Sequence, residues 1–338
     1  MNLQIAVHKV GNKANDEGCY FSNGLLHVDE EVVELLRGYF LQSFKFDTLY
    51  EFYHETDVRL NEVFVYVSNI LEDPTTLHEQ SKALAKHLYQ CSDHPKIKVG
   101  ELYVVYFEAF DFKGDTYPAV GLFKSEQKDM FLKVQSRDDN FLIDKHEGVN
   151  VNKLDKGAII VQTSPDQLQI AVVDNANKQV EAQYWLDSFL KVQQVQNEYY
   201  HTQQTMSMYK SFVIQDLPEQ FEVTKADQAD LLNRSMQYFK ENDSFELEHF
   251  EQEVLAQPEI IDRFVAYRQE YAQHYEVAFE ERFDISEAAL KKQSRNYKSV
   301  IKLDKNFHIY IHGDRSKIEQ GIDEDGRKYY KIFYDVEQ

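Results

Sequence analysis

The basic segment 291–302 is the part of this 338-residue sequence whose residue types are best suited to binding phosphate. It contains no acid, and its basic residues are Lys291, Lys292, Arg295, Lys298 and Lys302. Lysine and arginine neutralise nucleic-acid phosphates, and Tyr297 is suited to stacking on an unpaired base. Two other interpretations stay open: a linker that balances the acidic helices before it, and lysines that complement a helix dipole at its C-terminus.

Three further groups have the residue types of a catalytic or metal site. They are His308 with His312 and Asp314, the carboxylates Asp138, Asp139 and Asp144, and Cys91 followed by Ser-Asp-His. These types suit a metal or acid–base pair, Mg²⁺ binding and a Cys/His nucleophile respectively. The sequence favours the simpler interpretation in each case: surface histidines on a hairpin, acidic turns and an inert thiol.

The common catalytic and phosphate-binding motifs are absent from the sequence. There is no GxxxxGK[ST], GxGxxG, GxSxG or HExxH. Asp323, Asp325 and Gly326 resemble a calcium loop, but Tyr334 stands where the closing glutamate belongs, so a turn is expected. We therefore predict no catalytic residues, no metal and no cofactor, and a metal-dependent hydrolase is the remaining enzymatic alternative.

Charge is distributed unevenly along the chain, whose formal net charge is −21. Residues 216–290 carry 6 basic and 19 acidic side chains, whereas residues 291–338 carry 11 and 8. A protein this acidic is repelled by polyphosphate, so any nucleic-acid contact has to be local. Two cysteines, a polar N-terminus and no apolar run long enough to cross a bilayer favour a cytoplasmic protein with no membrane contact.

Hydrophobic patterning predicts an α+β fold. Residues 1–181 are expected to form a domain with an antiparallel meander and flanking helices. Its predicted strands are 3–10, 101–112, 117–124, 129–135, 157–163 and 168–174, and its predicted helices begin after Asp29 and cover 58–71 and 74–89. Residues 182–338 are expected to form a mainly helical domain closed by a small hairpin-like sheet. Its predicted helices are 182–213, 225–241, 244–256 and 258–276, followed by strands at 299–303, 307–311 and 329–334.

The chain as a whole resembles the bacterial nucleoid-associated, NdpA-like protein family. The resemblance rests on the opening Leu3–Lys9, on the helical stretches 60–67 and 81–88, on Gly100–Phe107 with Ala119–Lys124, and on the tail from Ser299–Leu303 to Asp325–Lys331. It implies a bacterial protein of the cytoplasm and nucleoid that acts on chromosome organisation through DNA or DNA-bound proteins. The resemblance supplies no catalytic motif.

Two functional hypotheses follow. In the first, a non-enzymatic nucleoid-associated protein contacts DNA without sequence specificity through the basic segment 291–302. In the second, the acidic block 216–290 binds a basic, DNA-processing partner protein and the chain touches no DNA itself. The aromatic-rich helices suit either a domain core or a dimer interface, and we expect a homodimer.

Overall fold

The computed structural model describes residues 3–165, 167–175, 184–295, 297, 300–310 and 317–336. The chain divides into two compact units, Met1–Val195 and Gln196–Gln338. The sequence analysis placed the domain boundary between residues 181 and 182; in the structure, Trp185 and Phe189 pack into the core of the N-terminal unit. The α+β class predicted from the sequence is confirmed.

The N-terminal unit is built on a large antiparallel sheet. Its strands are β1 (Leu3–Val10), β2 (Cys19–Phe21), β3 (Tyr50–Phe52), β4 (Gly100–Phe112), β5 (Asp115–Ser125), β6 (Lys128–Arg137), β7 (Asn140–Val149), β8 (Lys156–Ser164), β9 (Gln167–Asp174) and β10 (Val192–Gln194). Among the described residues the sheet has the order β10-β3-β9-β8-β5-β4-β1-β2. In the part of the chain that the structure describes, strands β6 and β7 pair only with each other and form a separate hairpin. The sequence analysis assigned a strand to 129–135 but none to 140–149.

Helices cover both faces of this sheet. They are α1 (Glu30–Leu41), α2 (Glu62–Glu72), α3 (Leu77–Cys91) and a π-helical segment, Tyr184–Leu190. Successive side chains of a strand point to opposite faces, so Val104 joins the core under α2 and α3 while Val105 joins the core under α1. Asp29 caps α1 as predicted, accepting a hydrogen bond from the Val32 N–H at 3.0 Å.

The C-terminal unit is mainly helical. Its helices are α4 (Glu198–Ser211), α5 (Leu217–Gln220), α6 (Lys225–Glu241), α7 (Leu247–Phe250), α8 (Pro258–Tyr275) and α9 (Glu287–Ser294), with short strands β11 (Ser244–Glu246) and β12 (Arg282–Asp284) pairing between them. Their core is rich in edge-on aromatic contacts, as between Tyr209 and Phe250 at 5.0 Å. The helix predicted over 182–213 is wrong: Lys191 takes a left-handed φ of 50°, and Asn197 caps a new helix.

Two hairpins end the described chain. They are β13 (Val300–Leu303) with β14 (Phe307–Tyr310), and β15 (Ile318–Ile322) with β16 (Lys328–Ile332). The expected closing sheet is thus two separate ribbons, and β15 was not predicted. Asp323 Oδ1 accepts hydrogen bonds from the N–H groups of Asp325 and Arg327, so this loop is the expected turn. None of the helices described is long and apolar enough to cross a membrane.

Candidate nucleic-acid interface

Helix α9 holds the first half of the basic segment and begins at a side-chain cap. The Ser286 hydroxyl accepts a hydrogen bond from the Ala289 N–H at 3.4 Å. Ala289 and Gln293 are buried, and the Gln293 amide donates to the Ser207 hydroxyl at 3.2 Å. These two residues define the inner face of α9, so the opposite face points to solvent.

Three basic residues occupy the outer side of this helix. With 3.6 residues per turn, Lys291, Lys292 and Arg295 fall within an arc of about 100°. All three are exposed. They lie at the C-terminal end of α9, where cations complement the helix dipole. The dipole accounts for where these residues sit on the helix, and their exposure leaves their charge accessible to an external anion.

The rest of the segment continues onto strand β13. Lys302 is exposed there, across from His308 on β14, while its neighbour Ile301 is buried against Ala226 and Ala229 of α6. Lys298 lies outside the described residues. We call Lys291, Lys292, Arg295 and Lys302 the basic face.

Tyr297 is placed differently from its basic neighbours. Its side chain is only 5% exposed and packs in the core of the C-terminal unit. Its hydroxyl donates to the Met206 carbonyl, and burial raises its pKa well above the usual value. Stacking on a base would require the ring to leave this core, so in this conformation Tyr297 anchors the chain between α9 and β13. Sequence alone did not show this, because an aromatic residue among lysines has the same pattern whether it is buried or exposed.

Three of the four arginines of the acidic block pair with carboxylates, whereas Arg268 donates to the backbone carbonyls of Phe279 and Glu280. Arg263 pairs with Asp216 and, at 3.0 Å, with Glu270. The shortest ion-pair contacts of Arg234 with Asp230 and of Arg282 with Glu246 are also 3.0 Å. Within the described part of the chain, no carboxylate lies at ion-pairing distance from any member of the basic face, although Lys292 Nζ donates to the Tyr199 hydroxyl at 3.0 Å. Among the residues that the structure describes, the basic face therefore has no ion-pair partner.

Comparison with known proteins adds one decisive observation. The model of the family described as nucleoid-associated protein YejK matches residues 6–337, almost the entire sequence. The chain belongs to this nucleoid-associated protein family. The resemblance predicted from the sequence is thereby confirmed. A search of curated proteins gave no match.

The other candidate sites of this nucleoid-associated protein form no cluster that the structure describes. Across the described ranges, no three His, Cys, Asp or Glu side chains are arranged to hold a metal ion. His308 is exposed, and its expected partners His312 and Asp314 lie outside those ranges. Asp138 lies at the hairpin tip with a left-handed φ of 53°, and Asp139 next to it is exposed. Asp144 lies on β7, directly across from Lys133 on β6.

Cys91 has a histidine neighbour other than the one that the sequence suggested. His87, one turn earlier on α3, places Nε2 3.8 Å from the Cys91 sulfur and Nδ1 4.0 Å from Glu62. The thiol donates to the Ser188 carbonyl at 3.5 Å, and burial raises the pKa of Cys91 to about 11. His87 Nε2 lies 3.2 Å from the Phe189 carbonyl, a contact in which it acts as donor and cannot accept the thiol proton. The arrangement favours an inert thiol.

Sequence analysis also missed a buried charged cluster in the large sheet of this family member. Lys124 and Lys156 are fully buried, and both ammonium groups lie within 5.4 Å of the Tyr184 ring centroid. Lys124 pairs with Glu126 at 3.0 Å, and Lys156 pairs with Asp174 at 2.7 Å. A lysine within an apolar strand normally indicates an exposed edge or a strand end, so the pattern held no signal for a buried pair.

Proposed function

We propose that this protein is a non-enzymatic component of the bacterial nucleoid that binds the backbone of duplex DNA without sequence specificity. The observation that supports this proposal is the exposed charge of the basic face, which has no ion-pair partner among the described residues, whereas Arg234, Arg263 and Arg282 are paired with carboxylates. Family membership supports the nucleoid as its place of action. Phosphate contact alone carries no sequence information, so no base preference is expected.

The net charge of −21 limits how this contact works. Long-range repulsion between an acidic protein and DNA lowers the rate and strength of association, and local contacts have to overcome it. Four neutralised phosphates predict a slope of log affinity against log salt of about −3.6 on duplex DNA, and a fifth contact from Lys298 raises its magnitude to about 4.5. Binding should therefore weaken steeply between low and physiological salt.

The first prediction concerns the basic face. We expect the variant Lys291→Ala, Lys292→Ala, Arg295→Ala and Lys302→Ala to bind a random 30-mer duplex at least about tenfold more weakly at 50 mM salt, with a flatter salt slope. All four side chains are exposed, so the fold should be retained. Fluorescence anisotropy titrations at 50 and 200 mM salt measure both quantities.

A matched control separates local contact from overall charge. Lys45, Lys153, Lys240 and Lys328 are also exposed, and replacing them with alanine removes the same number of charges. This control should bind within about twofold of the wild type, because none of these lysines belongs to the basic segment 291–302. Equal losses in the two variants, or full affinity in the basic-face variant, would contradict the proposal.

A second candidate function is binding of a basic protein partner by the acidic block 216–290. The observation that favours it is a set of exposed carboxylates on α8, namely Glu259, Asp262 and Glu270. Absence of DNA binding at both salt concentrations, together with a basic partner that stays bound after nuclease treatment, would support this function. Loss of the partner on nuclease treatment would count against it.

A further inference from the structure

The β6–β7 hairpin carries an apolar face that is open to solvent. Directly paired residues of antiparallel strands share one face, and here Val134 pairs with Ile143. Because side chains alternate along a strand, Met130 and Leu132 of β6 and Phe141 of β7 lie on the same face. The exposed fractions of its apolar side chains are 66% for Met130, 66% for Leu132, 58% for Val134, 70% for Phe141 and 59% for Ile143. We call these five residues the hairpin patch.

The opposite face of the hairpin is largely polar. It carries Lys133, Gln135 and Asp144, while its Phe131 ring already stacks on His146 at 5.6 Å. A two-stranded ribbon is marginally stable by itself and gains from burial of one face. An exposed apolar face opposite a polar one therefore indicates that the apolar face of the ribbon is covered in the assembled protein.

The size of the hairpin patch fits a symmetric pair of ribbons. From the exposed fractions, the patch offers about 600 Å² on each copy, so two copies packed face to face bury about 1,200 Å², the lower limit for a stable interface. The patch alone thus reaches the size that a dimer needs, and the flanking polar residues add to it.

The charges beside the hairpin patch favour the same occupant. Lys145 and Glu147 lie on this face, opposite Leu132 and Met130. Their charges cancel, and Lys128 at the base of the same face is paired with Glu101. The face therefore presents no net charge and meets its own copy without a like-charge conflict. A strongly basic or strongly acidic partner would find no complementary charge on this face.

We propose that the hairpin patch packs against the same patch of a second copy and forms a two-fold symmetric homodimer. The interface is isologous, with each ribbon covering the apolar face of the other at the spacing of about 10 Å that stacked sheets adopt. This assembly goes beyond DNA contact and does not depend on it.

The test uses the full-length chain and a variant with Leu132→Glu, Val134→Glu and Ile143→Glu. We expect sedimentation velocity to show a wild-type dimer between about 1 and 100 μM, and the variant to dissociate at least about thirtyfold more readily. Six carboxylates meeting across one apolar interface cause this loss. Since these side chains are exposed in the monomer, circular dichroism and the melting temperature should stay close to those of the wild-type monomer.

The matched control places the same charge on the polar face, as Gln135→Glu, Asn140→Glu and Leu142→Glu. It should dimerise within about threefold of the wild type, because this face does not enter the interface. A milder variant, Leu132→Ser, should weaken the dimer about tenfold and guards against misfolding of the triple variant. A wild-type chain that stays monomeric at 100 μM, or a triple variant that dimerises like the control, would overturn the proposal.

Discussion

His8 illustrates how single residues of this protein are held in one protonation state. It is 1% exposed on β1, and its Nδ1 accepts a hydrogen bond from the Ser22 N–H at 3.2 Å. The proton is therefore on Nε2, which donates to the Ser81 hydroxyl at 2.8 Å. Burial, followed by the charges of His78 and Lys82, lowers the pKa of His8 to about 4. Protonation would break the contact with Ser22 and place a charge in the core.

This geometry makes the stability of the N-terminal unit dependent on pH. The unfolded chain takes up a proton on His8 below about pH 6.5, whereas the folded chain does so only near pH 4, so stability falls as the pH drops through this window. We expect the free energy of unfolding to be about 2 kcal/mol lower at pH 5 than at pH 7.5 from this residue alone. Urea titrations at several pH values measure the difference.

The contribution of His8 is isolated by comparing two substitutions. His8→Asn should flatten the dependence of stability on pH between 4 and 6.5, at the expense of some stability at neutral pH. His27→Asn, at an exposed position, should leave the pH dependence unchanged. If His8→Asn and the wild type lost stability in parallel on acidification, this account of His8 would be wrong.

At the scale of elements, the large sheet is joined to the π-helical segment by a buried ion pair. Lys124 on β5 donates to Glu126 at 3.0 Å and to the Tyr184 hydroxyl at 2.9 Å, and that hydroxyl donates to Glu126 at 2.6 Å. Burial lowers the pKa of Lys124, while Glu126 opposes this shift. Each of these three polar groups thus has a hydrogen-bonding partner, without which it would be buried and unpaired.

We predict that this cluster responds in a strongly non-additive way to substitution. Glu126→Gln should destabilise the fold by about 3 kcal/mol, because it leaves the Lys124 ammonium buried without its counter-charge. The double variant Lys124→Met with Glu126→Gln should cost clearly less than the sum of its single substitutions, as measured by urea denaturation.

An exposed ion pair provides the comparison. Glu34 and Arg37 lie 3.0 Å apart on α1, and Glu34 is 55% exposed. Glu34→Gln should change stability by less than about 0.5 kcal/mol. Additive effects at Lys124 and Glu126 would show that the two side chains do not act as a pair.

At the scale of the whole molecule, local charge and assembly combine. Each copy carries one basic face, so a dimer formed through the hairpin patch presents two, and the second DNA contact becomes intramolecular. Two weak contacts can then hold a chain of net charge −21 on a polyanion.

This combination predicts a dependence on DNA length. The hairpin triple variant should bind a duplex of about 150 base pairs roughly tenfold or more weakly than the wild type, because it loses the second contact. On a 12-base-pair duplex, which is too short for two contacts, the affinities should agree within a factor of about two. Equal affinity on both duplexes would show that the two faces act independently. Anisotropy and filter-binding titrations measure these values.

Local patterns predicted much of the architecture correctly. The alternation in Leu3–Val10, the cap at Asp29 and the helix over 225–241 need only neighbouring residues to be recognised, and the structure confirms all three. The break inside 182–213 was missed, because Lys191 and the packing of Trp185 against the sheet depend on distant strands. The second hairpin strand, 140–149, was missed because three successive apolar residues, 141–143, followed by a polar run lack the apolar–polar alternation that indicates a half-buried strand.

The sequence by itself determined the fold class, the family, the acidic charge and the position of the basic segment, since these follow from residue type and periodicity. Only the tertiary structure decided which side chains face solvent. It buried Tyr297, exposed Lys291 and Arg295, enclosed Lys124, and left the hairpin patch open. The physical reason is that burial depends on contacts between residues far apart in the chain, and a local pattern does not contain them.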